Sequence, residues 1–131
     1  MNEQFLLDVS EDEKLGKVEI APEVIEVITG IAASEVAGVL SMRGSFASGI
    51  TERFGKKSHS KGVKVELTEA GIVTDLYLIL KFGVSIPKVC QEIQSNIKQT
   101  LKSMTSLEIS EVNIHVVGIQ METKESSQDH S

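Results

Sequence analysis

The pattern of apolar and polar residues between Phe82 and Met121 predicts one long helix followed by one long strand. Pro87 stands where the helix is predicted to start, and its missing N–H removes no hydrogen bond there. Seven apolar residues recur there at spacings of three and four, which places them on one helical face: Ile86, Val89, Cys90, Ile93, Ile97, Leu101 and Met104. After Leu107 the period changes to two, as in a half-buried strand: Val112, Ile114 and Val116 alternate with Asn113, His115 and Val117.

Earlier in the chain, similar patterns predict a second helix and four further strands. The helix opens at Pro22, and its polar strip of Glu23, Glu26 and Thr29 is narrow. We therefore expect this helix to be buried around most of its circumference or to lie partly in an interface between copies of the chain. The predicted strands are residues 16–20, 39–42, 63–67 and 72–80. The most apolar of them, 72–80, should be central in the sheet.

Two helices and about five strands in the order β-α-β-β-β-α-β predict an α+β fold. We expect a two-layer sandwich, with both helices on one face of a mostly antiparallel sheet. The folded domain is predicted to span residues 16–121. Residues 1–15 are predicted to be a flexible acidic tail, and residues 122–131 a flexible polar tail.

Composition narrows the class of protein without indicating an activity. The chain has 131 residues and one cysteine, which fits one domain without an internal disulfide. No apolar run approaches the roughly 20 residues needed to cross a bilayer. The acidic N-terminus does not resemble a signal peptide. A net charge of −6 argues against general affinity for nucleic acid.

The residue types that carry catalysis or bind metals do not form a recognisable motif. His59, His115 and His130 have no cysteine or acidic partner at metal-ligand spacing, so no metal is expected. Cys90 belongs to an apolar helix face, which favours a buried, inert thiol. Asp75 and His115 are predicted to be exposed positions on strands rather than catalytic groups. A glycine-spaced phosphate loop begins at Gly44 but lacks the required lysine.

One stretch, residues 43–61, interrupts the acidic chain with a local net charge of +4. We call it the basic segment; it has three glycines and no clear period. Long loops of this kind are often functional. The side chains that could contact a partner are Arg43, Phe46, Arg53, Phe54, Lys56, Lys57 and Lys61. An anionic protein, a phospholipid surface or nucleic acid would fit such a patch, and so would a purely solvated loop.

Several runs of sequence resemble the alkaline shock protein family of Gram-positive bacteria, also called envelope stress response proteins. The first is GKVEIAPEVIEVITGIAASEVAGVLSMRG at residues 16–44. The second half agrees through GVKVEL at 62–67 and through the stretch from Phe82 to Gln120. The runs IAPEVIEV and MRGSFASGITERFGK look like the sequences of the subgroup encoded beside acetyl-CoA carboxylase. The shared motifs are structural, so they indicate the fold specifically and say little about the function.

The resemblance implies a cytoplasmic, non-enzymatic protein that works through protein–protein contacts and needs no cofactor or small-molecule substrate. Some members are held at the membrane by a separate anchor protein and support cell-envelope homeostasis. The subgroup implies a role in controlling fatty-acid synthesis, with acetyl-CoA carboxylase as a partner. Self-association is a separate expectation, and it comes from the apolar helix that opens at Pro22. The alternative is a nucleic-acid-binding module that uses the basic segment.

Overall fold

The computed structural model describes residues 6–42 and 62–121. These residues form six strands and two α-helices, with one turn of 3₁₀ helix at Glu13–Leu15. In chain order they are β1 (Leu7–Asp8), β2 (Glu19–Ile20), α1 (Pro22–Ser34), β3 (Val39–Met42), β4 (Val63–Thr68), β5 (Gly71–Lys81), α2 (Ile86–Thr105) and β6 (Ile109–Gln120). The α+β fold with two helices is confirmed, and the sequence analysis missed one strand, β1.

Four strands form the main sheet, and β5 is its central strand as predicted. β3 and β4 both pair antiparallel with β5, along the same edge, at residues 78–80 and 71–76 of β5. β6 runs along the opposite edge of β5 and is parallel to it. The sheet is therefore mostly antiparallel, with one long parallel pair that α2 connects as a crossover helix.

Side chains of β5 alternate strictly between the two faces of the sheet. Residues 72, 74, 76, 78 and 80 are buried, whereas the residues between them are half-buried. Leu76, Leu78 and Leu80 belong to one apolar core together with side chains of both helices. Both helices therefore lie on the same face of the sheet, as predicted. They also contact each other, and Asn96 Nδ2 of α2 donates a hydrogen bond of 2.8 Å to the carbonyl of Ala32.

Helix α2 buries the middle of its predicted apolar face. It begins at Ile86, one residue before Pro87, and Ser106 ends it in the left-handed conformation with φ 68°. The buried apolar residues are Val89, Ile93, Ile97 and Leu101. The two end positions of the predicted face, Ile86 and Met104, are exposed because the core covers only the central turns of the helix.

The N-terminal region is more structured than the sequence indicated. β1 and β2 form a separate two-stranded antiparallel sheet, in which Leu7 pairs with Ile20. Both side chains pack against the main core. Part of the predicted flexible tail, from Leu7 onward, is thus held to the domain by apolar burial. Within residues 6–42 and 62–121, neither helix is both long and apolar enough to cross a membrane.

Candidate functional site

The face of the main sheet that points away from the helices carries a mixed set of polar and aromatic side chains. We call it the open face. Alternation along the strands places residues 64 and 66 of β4 and residues 75, 77 and 79 of β5 on it. Asn113 and His115 of β6 join them, because they pair in register with Asp75 and Tyr77. The open face is therefore the polar surface of the sheet.

Three side chains at the centre of the open face contact one another. His115 Nε2 lies 3.0 Å from Asp75 Oδ1, across the boundary between β5 and β6. The rings of Tyr77 and His115 stack with their centroids 4.6 Å apart and their planes 14° apart. The histidine side chain is 44% exposed and the aspartate side chain 27% exposed. The cluster is thus open to a partner while its members are held in place by one another.

The cluster forms part of a shallow depression, which we call the acidic depression. It lies beside the β4 edge of the sheet, where α1 also contributes a residue. Its lining residues are Glu26, Lys64, Val65, Glu66, Asp75, Tyr77 and His115. Three carboxylates and one lysine give these residues a net charge of −2 when His115 is neutral. The depression therefore favours positively charged groups over anions.

Asp75 and His115 are predicted to occupy exposed strand positions, and their contact with each other was not predicted. The two residues are 40 positions apart in the chain, so no local motif joins them. The parallel register, which pairs Tyr77 with His115, brings them together. Spacing along the sequence indicated no acidic partner for His115, and the fold supplies one in Asp75. The order of elements does indicate this pairing, because a helix that connects two apolar strands favours parallel pairing of those strands.

An aspartate beside a histidine can orient the imidazole for acid–base work, but the chemistry needs a reacting group as well. The residues that line the acidic depression include no serine, threonine or cysteine that could act as a nucleophile. Residues 6–42 and 62–121 also contain no group of three or more His, Cys, Asp or Glu side chains that could hold a metal ion. The described residues of the depression form an exposed polar surface to which a partner can bind.

Cys90 lies on α2 and is half-buried, so the prediction of a buried thiol is only partly right. Burial raises the pKa of its thiol above the ordinary value. Because the thiolate is the reactive form, a raised pKa makes the cysteine less reactive at neutral pH.

We expect Cys90 to react with a disulfide reagent more slowly in the native protein than in the same protein unfolded in urea, at equal pH. The reason is that the raised pKa leaves less thiolate in the folded chain. Stopped-flow absorbance with an aromatic disulfide, at several pH values between 7 and 9, measures both rates. Equal or faster reaction in the native protein would contradict the assignment.

The seven residues that the sequence analysis chose for partner contact are all in the basic segment and lie outside the described residues. What the structure does place are the two ends of that segment. Met42 pairs with Leu78, and the carbonyl of Gly62 accepts a 2.9 Å hydrogen bond from the N–H of Tyr77. The segment therefore leaves and re-enters the sheet beside Tyr77, next to the acidic depression.

Comparison with known proteins gives several matches over most of the chain. The model of the alkaline shock protein 23 family, described as having a cell envelope-related function, matches residues 10–121. YqhY of Bacillus subtilis is 63% identical over 125 residues, which cover 95% of this chain and 93% of YqhY. Spy1535 of Streptococcus pyogenes serotype M6 is 42% identical over 111 residues, 84% of either chain.

A more distant relative carries a functional name. The stress response regulator gls24 homolog of Streptococcus pyogenes serotype M3 is 30% identical over 129 residues, which cover 95% of this chain and 71% of that protein. No solved structure gives a significant match.

Proposed function

The chain belongs to the alkaline shock protein 23 family, a family with a cell envelope-related function, and on this premise we propose that it acts as a non-enzymatic accessory protein through contacts with other proteins. The observation that carries the proposal is the family match over residues 10–121. The relatives named as stress response regulators support a regulatory role. The exposed, shallow character of the acidic depression also supports a contact surface.

A finer proposal concerns the process that the protein regulates. The runs IAPEVIEV and MRGSFASGITERFGK resemble the subgroup encoded beside acetyl-CoA carboxylase. We therefore propose that the protein works in the cytoplasm and modulates acetyl-CoA carboxylase, and with it fatty-acid synthesis. A membrane-anchor protein is the alternative partner, and it would recruit the chain to the envelope. The basic segment is the proposed contact, since its arginine and lysine side chains suit an anionic protein surface.

Reversing three charges of the basic segment is expected to weaken partner capture without unfolding the domain. In the triple variant Arg53→Glu, Lys56→Glu and Lys57→Glu, the segment changes from attracting to repelling an anionic partner. The measurement is affinity capture from cells at native expression, with quantitative mass spectrometry of acetyl-CoA carboxylase subunits and membrane proteins. Circular dichroism checks that the variant remains folded.

The matched control reverses the charge of three exposed lysines outside the basic segment: Lys14, Lys88 and Lys98. It changes the net charge by the same amount, so only a local effect of the basic segment distinguishes the two variants. Failure of the wild-type protein to capture any partner reproducibly would overturn the proposal. The nucleic-acid alternative is tested with the same proteins, because it predicts binding of RNA or DNA that falls steeply as salt rises.

Self-association through α1 is the second contact that we propose. The inner side of α1 is buried, but Val24 and Ile31 on its outer side remain 44% and 43% exposed. Val27 lies between them on the same helical strip and is half-buried. Such a strip is unusual on a surface helix, and it would be covered if two copies met there.

We expect Ile31→Glu to shift the protein toward monomer in sedimentation velocity at micromolar concentrations, because it places a charge in the proposed interface. Met104→Glu, which alters another exposed apolar residue on the other helix, should leave the distribution unchanged. Wild-type protein that is monomeric across this concentration range would contradict self-association.

A further inference from the structure

We propose that the acidic depression on the open face is a docking surface for the basic segment of the same chain, residues 43–61. The segment is also the proposed partner contact, but its docking on the depression can form in the isolated protein and is tested there without a partner. Three features of the described residues favour it: the charge of the depression, the aromatic cluster at its centre, and the position of the two ends of the segment.

Charge complementarity is the first argument. The lining residues of the depression carry a net charge of −2, whereas the basic segment carries a net charge of +4. Glu66 and Asp75 are diagonal neighbours on the open face, because Asp75 pairs with Lys64 and Glu66 pairs with Val73. Such neighbours lie about 7–8 Å apart, so basic side chains of the segment can approach either carboxylate. Asp75 uses its Oδ1 atom for His115, and a carboxylate accepts further hydrogen bonds at its second oxygen.

The aromatic pair is the second argument, because it adds a contact that distinguishes arginine and lysine from small cations. Tyr77 and His115 are stacked, which fixes the tyrosine ring next to Asp75. A cationic side chain that approaches the carboxylate can also contact a fixed aromatic ring, and this cation–π contact contributes about 0.5–1 kcal/mol at an exposed site. The depression therefore matches a long basic side chain better than a free metal ion.

The position of the ends of the segment is the third argument, and it selects this occupant over a separate protein. Met42 and Gly62 hold the segment at the positions of Leu78 and Tyr77 on β5. A chain spans about 3.3–3.6 Å per residue when extended, so the middle of the segment can reach about 30 Å from these points. Tyr77, to which Gly62 is bonded, is itself a lining residue of the depression, so the segment re-enters the sheet at the depression. A short tether also gives a local concentration in the millimolar range.

Tyrosine fluorescence can measure this contact directly, because the chain has one tyrosine and no tryptophan. Because Tyr77 is the one tyrosine of the chain, its fluorescence reports on the open face alone. We expect acrylamide to quench Tyr77 about twofold more strongly in the variant Arg53→Glu, Lys56→Glu and Lys57→Glu than in the wild type, because loss of the charge attraction uncovers the ring. Acrylamide is neutral, so the net charge of the variant does not bias the quenching.

Two controls make the measurement specific. The variant Lys14→Glu, Lys88→Glu and Lys98→Glu has the same net charge and should be quenched like the wild type. In the wild type, about 1 M salt should raise quenching to the level of the basic-segment variant, because the screening length falls to about 3 Å. Circular dichroism confirms that each protein is folded.

Two outcomes would overturn the proposal. Equal quenching of the wild type and the basic-segment variant at low salt would show that the segment does not cover Tyr77. Quenching of the wild type that depends on protein concentration would show that the occupant comes from a second copy and not from the same chain. Quenching that is stronger in the basic-segment variant and independent of concentration is the result that we expect.

Discussion

Substitution of Ile93 by aspartate is expected to unfold the domain. Ile93 is fully buried on the central turn of α2, in the same core as Leu76 and Leu78 of β5. The change removes about 1.5–3 kcal/mol of apolar burial. It also places a carboxylate in an apolar core, which costs several kcal/mol more. Together these terms approach the whole stability of an ordinary domain, which is about 5–15 kcal/mol.

Urea unfolding followed by far-ultraviolet circular dichroism measures this effect. Two controls separate its causes. Ile93→Val keeps an apolar side chain and should cost only about 0.5–1.5 kcal/mol. Ile86→Asp introduces the same charge on the same helix, but at a position that is 40% exposed, and should be tolerated. A cooperative transition of Ile93→Asp near the wild-type midpoint would show that the core does not depend on this residue.

Substitution of Gly38 by alanine is expected to destabilise the fold by about 2–5 kcal/mol, for two reasons that can be separated. Gly38 joins α1 to β3 with φ +104°, a conformation that costs an L-residue about 1–2 kcal/mol. A Cβ atom there would also lie 2.9 Å from Cγ2 of Val89, a buried residue of α2. Overpacking of this kind adds about 1–3 kcal/mol.

Gly83→Ala is the matched control for Gly38→Ala. Gly83 has nearly the same φ, +99°, but nothing lies within 4 Å of the position that its Cβ would occupy. The free energies of unfolding of the two variants, measured in urea, should therefore differ by the contact with Val89 alone. Equal destabilisation by both substitutions would mean that the turn after α1 moves to admit the methyl group, so that the packing against α2 is not rigid.

The elements that the sequence predicted well are those whose periodicity repeats several times. β3 and β4 begin at the predicted residues, and α2 differs from its prediction by one residue at its start. The last strand was predicted within the stretch that ends at Met121, and β6 ends at Gln120, although its clear alternation stops at Val117. A register shift between the pairs Leu78–Val116 and Ile79–Gly118 breaks the alternation of sides at that point. The two-residue strand β1 is too short to have any period.

Features that depend on pairing between distant strands were not predictable from local pattern. The direction of β6 is decided by which edge of β5 is free and by the crossover through α2, and alternation alone is the same in parallel and antiparallel strands. The contact between Asp75 and His115 depends on that direction, so it was missed with it. The chosen residues of the basic segment remain a prediction, since they lie outside the described part of the chain.

The central position of β5 also determines how the sheet unfolds. Each strand pairing of the four-stranded sheet has β5 as one member, so β3, β4 and β6 are not paired with one another. Loss of β5 would therefore separate all of them at once. A backbone amide of β5 exchanges with solvent when the strand to which it is bonded opens, so only loss of both edges exposes all of the β5 amides. The outer strands can open singly, so their solvent-side amides should exchange faster than those at the centre of the sheet.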